Sequence, residues 1–114
     1  MNTHLNVVVL HIPEIQRARR YFTDILGFEV AQEHPGNILE FAAAGGAELA
    51  LMPGEAGRFS ADLWLIVPEV DSYHTRLASA GADIVEPLQD GPFGRMFSVL
   101  TPDGHRFTFH RGEA

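Results

Sequence analysis

Six histidines and fifteen carboxylates supply most of the groups in this chain that could do chemistry. His4, His11, His34, His74, His105 and His110 are scattered, and none shows the close spacing of a zinc motif. His4 and His74 are expected on a terminus and a helix surface, and His34 and His105 at strand ends beside turns. Only His11 and His110 fall on a sheet face that could enclose a site. Beside a carboxylate, His110 could act as acid or base, because an imidazole titrates near neutrality. Ser60, Ser72, Ser79 and Ser98 lack the flanking glycines of a nucleophile elbow. The chain has no cysteine, hence no disulfide, thiolate nucleophile or thiolate metal site. All eight basic residues are arginine, which removes lysine Schiff-base chemistry and the lysine of a phosphate-binding loop.

These groups sit in a chain of 114 residues, 46% hydrophobic and 20% charged, enough for one domain or two very small halves sharing a core. A core this small makes an oligomer a fair expectation. The formal charge of −7 repels phosphate backbones and anionic membranes, so neither nucleic acid nor membrane is an expected partner. The longest apolar runs, such as Val7 to Leu10 and Leu63 to Val67, are too short to span a bilayer. The first four residues carry no signal-peptide pattern, and the expected location is cytoplasmic.

The elements that must position these groups follow from local pattern. Residues 5–12 are rich in β-branched side chains and read as a strand. Pro13 and Glu14 open a helix carrying Ile15, Ala18, Phe22, Ile25 and Leu26 at helical spacing, with Arg17, Arg19, Arg20 and Asp24 as a solvated face. Gly27 ends it, and strands near 28–34, 37–43 and 47–52 follow, separated by Pro35-Gly36 and Gly45-Gly46. A glycine-rich linker covers about 54–60. The order then restarts: a strand at 62–68, a helix from Pro68 to Ala80 ended by Gly81, and strands near 83–88, 95–100 and 105–110, with Pro102-Asp103-Gly104 as a hairpin turn.

That restart is an internal repeat. Ile12-Pro13-Glu14-Ile15 matches Val67-Pro68-Glu69-Val70 at an offset of 55, Gly27 matches Gly81 at 54, and Gly46 matches Gly104 at 58. The fold class is therefore α+β, with two tandem β-α-β-β-β modules, about 1–53 and 61–114, in a single domain. Strand alternation sends Val8, Leu10, Leu49, Leu51, Leu63, Leu65, Phe107 and Phe109 toward the helices. The opposite face holds Trp64, Met52, Glu40, Glu48, Asp62, Ser98, Arg106, Thr108 and His110, with Glu40 equivalent to Ser98 and Ile38 to Met96. Bulky apolar groups among polar ones need cover, from a ligand or from the sheet curling over itself.

Three segments carry a family resemblance: residues 12–28, ending Tyr21-Phe22…Leu26-Gly27-Phe28; Ala80-Gly81-Ala82; and Thr101-Pro102-Asp103-Gly104. They resemble the "FYxxxLGF", "aGa" and "DPDG" motifs of the vicinal oxygen chelate superfamily, which includes glyoxalase I, ring-cleaving dioxygenases, fosfomycin-resistance enzymes and bleomycin-resistance proteins. The aromatic pair is reversed here, and Thr101 stands where aspartate is usual. The resemblance implies a cupped mixed sheet with the helices outside, and a homodimer. It also implies metal-ligand positions at Val7, Ala50, Asp62 and Thr108, of which only Asp62 is a good ligand. A shift of register would bring in Glu48, Arg106 or His110, and a divalent metal held by Glu48, Asp62 and His110 is the alternative. Gly91-Pro92-Phe93-Gly94 resembles the superfamily's loop before the seventh strand, which would put Phe93 at the pocket rim.

The resulting expectation is a protein with no cofactor that sequesters a small organic molecule, cationic or aromatic, as bleomycin-resistance proteins do. Trp64 would stack a planar part, and Glu40, Glu48 and Asp62 would attract positive charge. The alternatives are a metal-dependent lyase, dioxygenase or thiol transferase, a cofactor-free proton-transfer enzyme using His110, or a regulatory module with a vestigial cavity.

Overall fold

The computed structural model describes residues 5–43, 45–55 and 60–112. His4, Arg58 and most of the expected linker, at 56–59, lie outside them. The chain divides into two compact units, Met1–Phe59 and Ser60–Ala114. Each unit carries one four-stranded sheet and the same order of elements.

In the first unit the β-branched run forms β1 (Val7–Ile12), and α1 (Ile15–Arg20) follows, continuing into a π-helical turn at Tyr21–Ile25. Strands β2 (Val30–His34), β3 (Ile38–Phe41) and β4 (Glu48–Pro53) complete it. The sheet order is β1-β4-β3-β2, with β1 and β4 parallel and the remaining pairs antiparallel. Ile15, Ala18, Phe22 and Leu26 are buried, as their spacing predicts. Phe22 stacks on Phe41 with ring centroids 5.2 Å apart, and Phe28 meets both rings edge-on at 5.8 Å. The sequence pattern does not distinguish the π turn from ordinary helix. The wider turn lets the Leu26 and Phe28 N–H groups donate to the Tyr21 and Phe22 carbonyls, bringing Phe28 back over the core. After β4 the chain passes so close to β1 that a Cβ on Gly54 would lie 2.7 Å from that of His11, which leaves room only for glycine.

The second unit repeats the plan with β5 (Asp62–Ile66), α2 (Val70–Ser79), β6 (Asp83–Gly91), β7 (Gly94–Leu100) and β8 (Arg106–His110). Its sheet order is β5-β8-β7-β6, with β5 and β8 parallel. Val70 and Leu77 of α2 are buried, and Tyr73 meets Phe109 edge-on at 4.9 Å while His74 meets Phe97 at 5.0 Å. His74 is thus half-buried against the sheet instead of lying on an open helix surface. Strand β6 runs three residues past its expected end and tolerates Pro87, because it is an edge strand with register breaks on both sides of Glu86.

His105 lies beside the turn at the start of β8, as expected, and is 1% exposed. Its Nδ1 accepts the Ala61 N–H at 3.1 Å, tying the β7–β8 turn to the start of β5. Thr101 performs the turn-capping task of the usual aspartate, its hydroxyl accepting the His105 N–H at 3.1 Å. Thr101→Ala leaves a buried N–H without that acceptor and is expected to cost about 1–2 kcal/mol in urea unfolding. A cost below a few tenths would show that the hydroxyl is dispensable.

Candidate functional site

Strand pairing in the second unit places its non-helical face residue by residue. Asp62 of β5 stands beside Arg106 of β8, which stands beside Leu100 of β7. The next row is Trp64, Thr108, Ser98 and Glu86. The third is Ile66, His110, Met96 and Gln89. Alternation predicts this face correctly, and the partnership of Ser98 with Thr108 matches that of Glu40 with Ala50 in the first unit.

The first row is charged and internally paired. Arg106 donates a hydrogen bond to the Asp62 carboxylate. That bond, with the Asp62 charge and the more distant Glu86, holds the guanidinium above its ordinary pKa, so Arg106 stays cationic and Asp62 stays engaged. In the middle row the Ser98 and Thr108 hydroxyls bond each other at 2.7 Å, both fully buried. One hydroxyl donates to the other in this pair.

The third row adjoins an aromatic corner. Trp64 and Phe93 meet at right angles with centroids 5.5 Å apart, and the His110 ring lies 5.9 Å from each. Trp64 is 39% exposed and Phe93 48%, so both residues keep area open to solvent. Phe93 sits at the tip of the β6–β7 hairpin, a two-residue Pro92-Phe93 turn between the paired Gly91 and Gly94. Gly94 has φ +103°, and a Cβ there would meet the Gly112 carbonyl oxygen at 2.7 Å. Gly94→Ala is therefore expected to destabilise the protein by more than about 1 kcal/mol and to move Phe93 off Trp64. The chemical shift of the single indole N–H reads that movement, and an unchanged shift would contradict it.

The first unit has the same scaffold with different chemistry. Val7 pairs with Glu48, Val9 with Ala50, and His11 with Met52, while Glu40 lies beside Ala50 and Gln32. His34 Nε2 and Glu40 Oε2 are 2.8 Å apart. Glu48 is exposed and Met52 half-buried. Of the three carboxylates expected to draw a cation, Asp62 and Glu40 thus already have partners. Among the described residues no helix is long and apolar enough to cross a membrane. A hollow of about 380 Å³ lined by Val67, Pro68, Glu69, Ser72, Tyr73 and Arg76 opens beside the first turn of α2.

A family model for the glyoxalase/bleomycin resistance protein/dioxygenase superfamily matches residues 4–109. The chain belongs to this superfamily. Among solved structures, TioX from Micromonospora sp. ML1 is 27% identical with a TM-score of 0.80, the match covering 97% of this chain and 99% of that one. TnmS3, an antibiotic binding protein from Streptomyces sp. CB03234, is 20% identical with a TM-score of 0.81 and 97% of each chain covered. A superfamily member from Sphaerobacter thermophilus DSM 20745 is 20% identical with a TM-score of 0.76, covering 94% of this chain and 95% of that one. No curated protein matches the sequence.

The metal positions implied for a member of this superfamily do not fit a metal here. Val7 and Ala50 have no donor atom, Thr108 is bonded to Ser98, and Asp62 is bonded to Arg106. The shifted set fares no better. Asp62 pairs with Arg106 and His110 with Ile66, so Asp62 and His110 stand four residues apart along the ladder, roughly 13 Å at 3.3 Å per residue. Among the described residues no group of three or more histidines or carboxylates is placed to hold a metal ion.

Sequence reasoning put Trp64 and His110 on one sheet face and Phe93 at the pocket rim; it did not foresee that the three rings meet, because Phe93 reaches the corner from a hairpin tip that strand alternation does not cover. It also missed Glu86. The signal was there in the alternation of β6, but the register breaks beside Val85 and Pro87 obscure it.

Proposed function

We propose that this protein binds a small organic molecule through a planar aromatic part laid against Trp64 and Phe93, and does so without metal-dependent turnover. The observation that carries this reading is the contrast across one sheet face. Asp62 and Thr108 are bonded to Arg106 and Ser98, while the two perpendicular rings keep exposed area. Such a corner offers apolar area of defined orientation, which suits a planar ligand. TnmS3 has the same fold and is an antibiotic binding protein, which supports sequestration as the use of this scaffold. With Asp62 neutralised by Arg106, the ligand's aromatic character matters more than its charge.

The test joins two readouts on protein purified without chelator. After incubation with Ni²⁺, Zn²⁺, Mn²⁺ or Fe²⁺ and dialysis, elemental mass spectrometry is expected to find less than about a tenth of a metal per chain. A bound aromatic antibiotic released by heat is expected to return with unchanged mass. Metal near one per chain, lost in Asp62→Asn, or a metal-dependent change in ligand mass would overturn the proposal.

A further inference from the structure

His110 has a role at this corner that ring contacts alone do not describe. Its Nδ1 lies 3.3 Å from the Phe93 carbonyl oxygen. A carbonyl only accepts, so Nδ1 must carry the proton. In the neutral ring Nε2 then holds a lone pair; the Nδ1 contact is the side-chain hydrogen bond that His110 makes among the described residues, and the residue keeps 8% of its surface exposed. Other acceptors on this face are buried, already bonded or remote from Trp64, Gln89 lying three strands from β5. The Ser98 and Thr108 hydroxyls are buried and bonded together, Asp62 is held by Arg106, and Glu86 Oε2 accepts from Gln89 Nε2 at 3.3 Å. Glu86 is also three strands from Trp64, roughly 14 Å at about 4.8 Å per strand.

Resting on the aromatic-ligand reading above, we infer that His110 Nε2 is the specificity-determining acceptor of the site, so that the protein selects planar aromatics bearing a phenolic O–H or ring N–H donor. The Phe93 carbonyl fixes the tautomer, and the same hairpin tip that supplies the Phe93 ring thereby sets the polarity of His110. A ligand whose oxygen can only accept loses this bond while keeping its ring contacts. Substituting Phe93 alters the ring but leaves the main-chain carbonyl, so shape and polarity can be varied separately.

The test compares 2-naphthol with 2-methoxynaphthalene, which has the same ring system and oxygen but no donor. Affinities are read from the indole N–H resonance of Trp64, the chain's single tryptophan. The wild type is expected to bind 2-naphthol about fivefold more tightly, the scale of one hydrogen bond, against the greater hydrophobicity of the ether. In His110→Phe the ratio of the two affinities is expected to fall to one or below, as the ether's greater hydrophobicity is no longer opposed. Independently of any variant, long-range ¹H–¹⁵N correlation in the free wild type is expected to show the proton on Nδ1, and the Nε2 resonance to move when 2-naphthol binds. Equal wild-type affinities, a preference surviving in His110→Phe, or a proton found on Nε2 each overturn the His110 assignment and leave aromatic binding standing. Failure of both probes to perturb the indole resonance overturns the assignment together with the reading beneath it.

Discussion

Trp64→Ala is expected to weaken binding of 2-methoxynaphthalene by about 30-fold or more, measured by isothermal titration. A well-packed aromatic anchor is worth roughly 2 kcal/mol or more to an interface. Trp64 supplies one wall of the corner at a right angle to Phe93, and the third ring, His110, is 8% exposed and offers little area to replace it. Trp64→Phe should recover part of the loss, since a smaller ring can still face Phe93. The substitution should cost the fold little, because Trp64 is among the exposed large hydrophobic residues of its unit. Unchanged affinity in Trp64→Ala would move the site elsewhere.

The largest stability effect is expected at Phe109. Its ring is fully buried, with Tyr73 at 4.9 Å, Phe97 at 5.5 Å and Phe107 at 6.3 Å. Removing a buried phenyl leaves a cavity that a rigid sheet cannot collapse around, at about 3–5 kcal/mol. That is a large part of the roughly 5–15 kcal/mol that keeps a domain folded. Phe109→Ala should therefore lower the urea midpoint sharply and loosen α2, whose Tyr73 rests on the ring. Phe109→Leu should cost under half as much. A loss below about 1 kcal/mol in the alanine variant would mean that α2 does not depend on this contact.

Both predictions rest on strand faces that are legible in the sequence. Period-two alternation is rigid, so once Leu63 and Leu65 are assigned to the helix side, Asp62, Trp64 and Ile66 must face the other way. The repeat then carries the register from one unit to the other, and the pairing of Ser98 with Thr108 and of Glu40 with Ala50 agrees. What the sequence left unread are interactions between side chains that alternation brings to the same face. Asp62 and Arg106 are 44 residues apart, and nothing local shows that they neutralise each other. His105 looks like a turn residue because its neighbours are Gly104 and Arg106. Its burial follows from the Ala61 N–H, which only the parallel β5–β8 pairing brings near. The π turn at Tyr21–Ile25 is hidden for a related reason, since its cause is the docking of Phe28 on Phe22 and Phe41.

The central claim is that a small aromatic ligand rests on the Trp64–Phe93–His110 corner. The most direct test is a ¹H–¹⁵N spectrum of the labelled protein titrated with 2-methoxynaphthalene. The account predicts shifts in the Trp64 indole N–H and in the backbone amides of Phe93, Gly94 and His110, with the α2 amides still. Shifts centred instead on Ser72, Tyr73 and Arg76, beside the hollow at the start of α2, would contradict it.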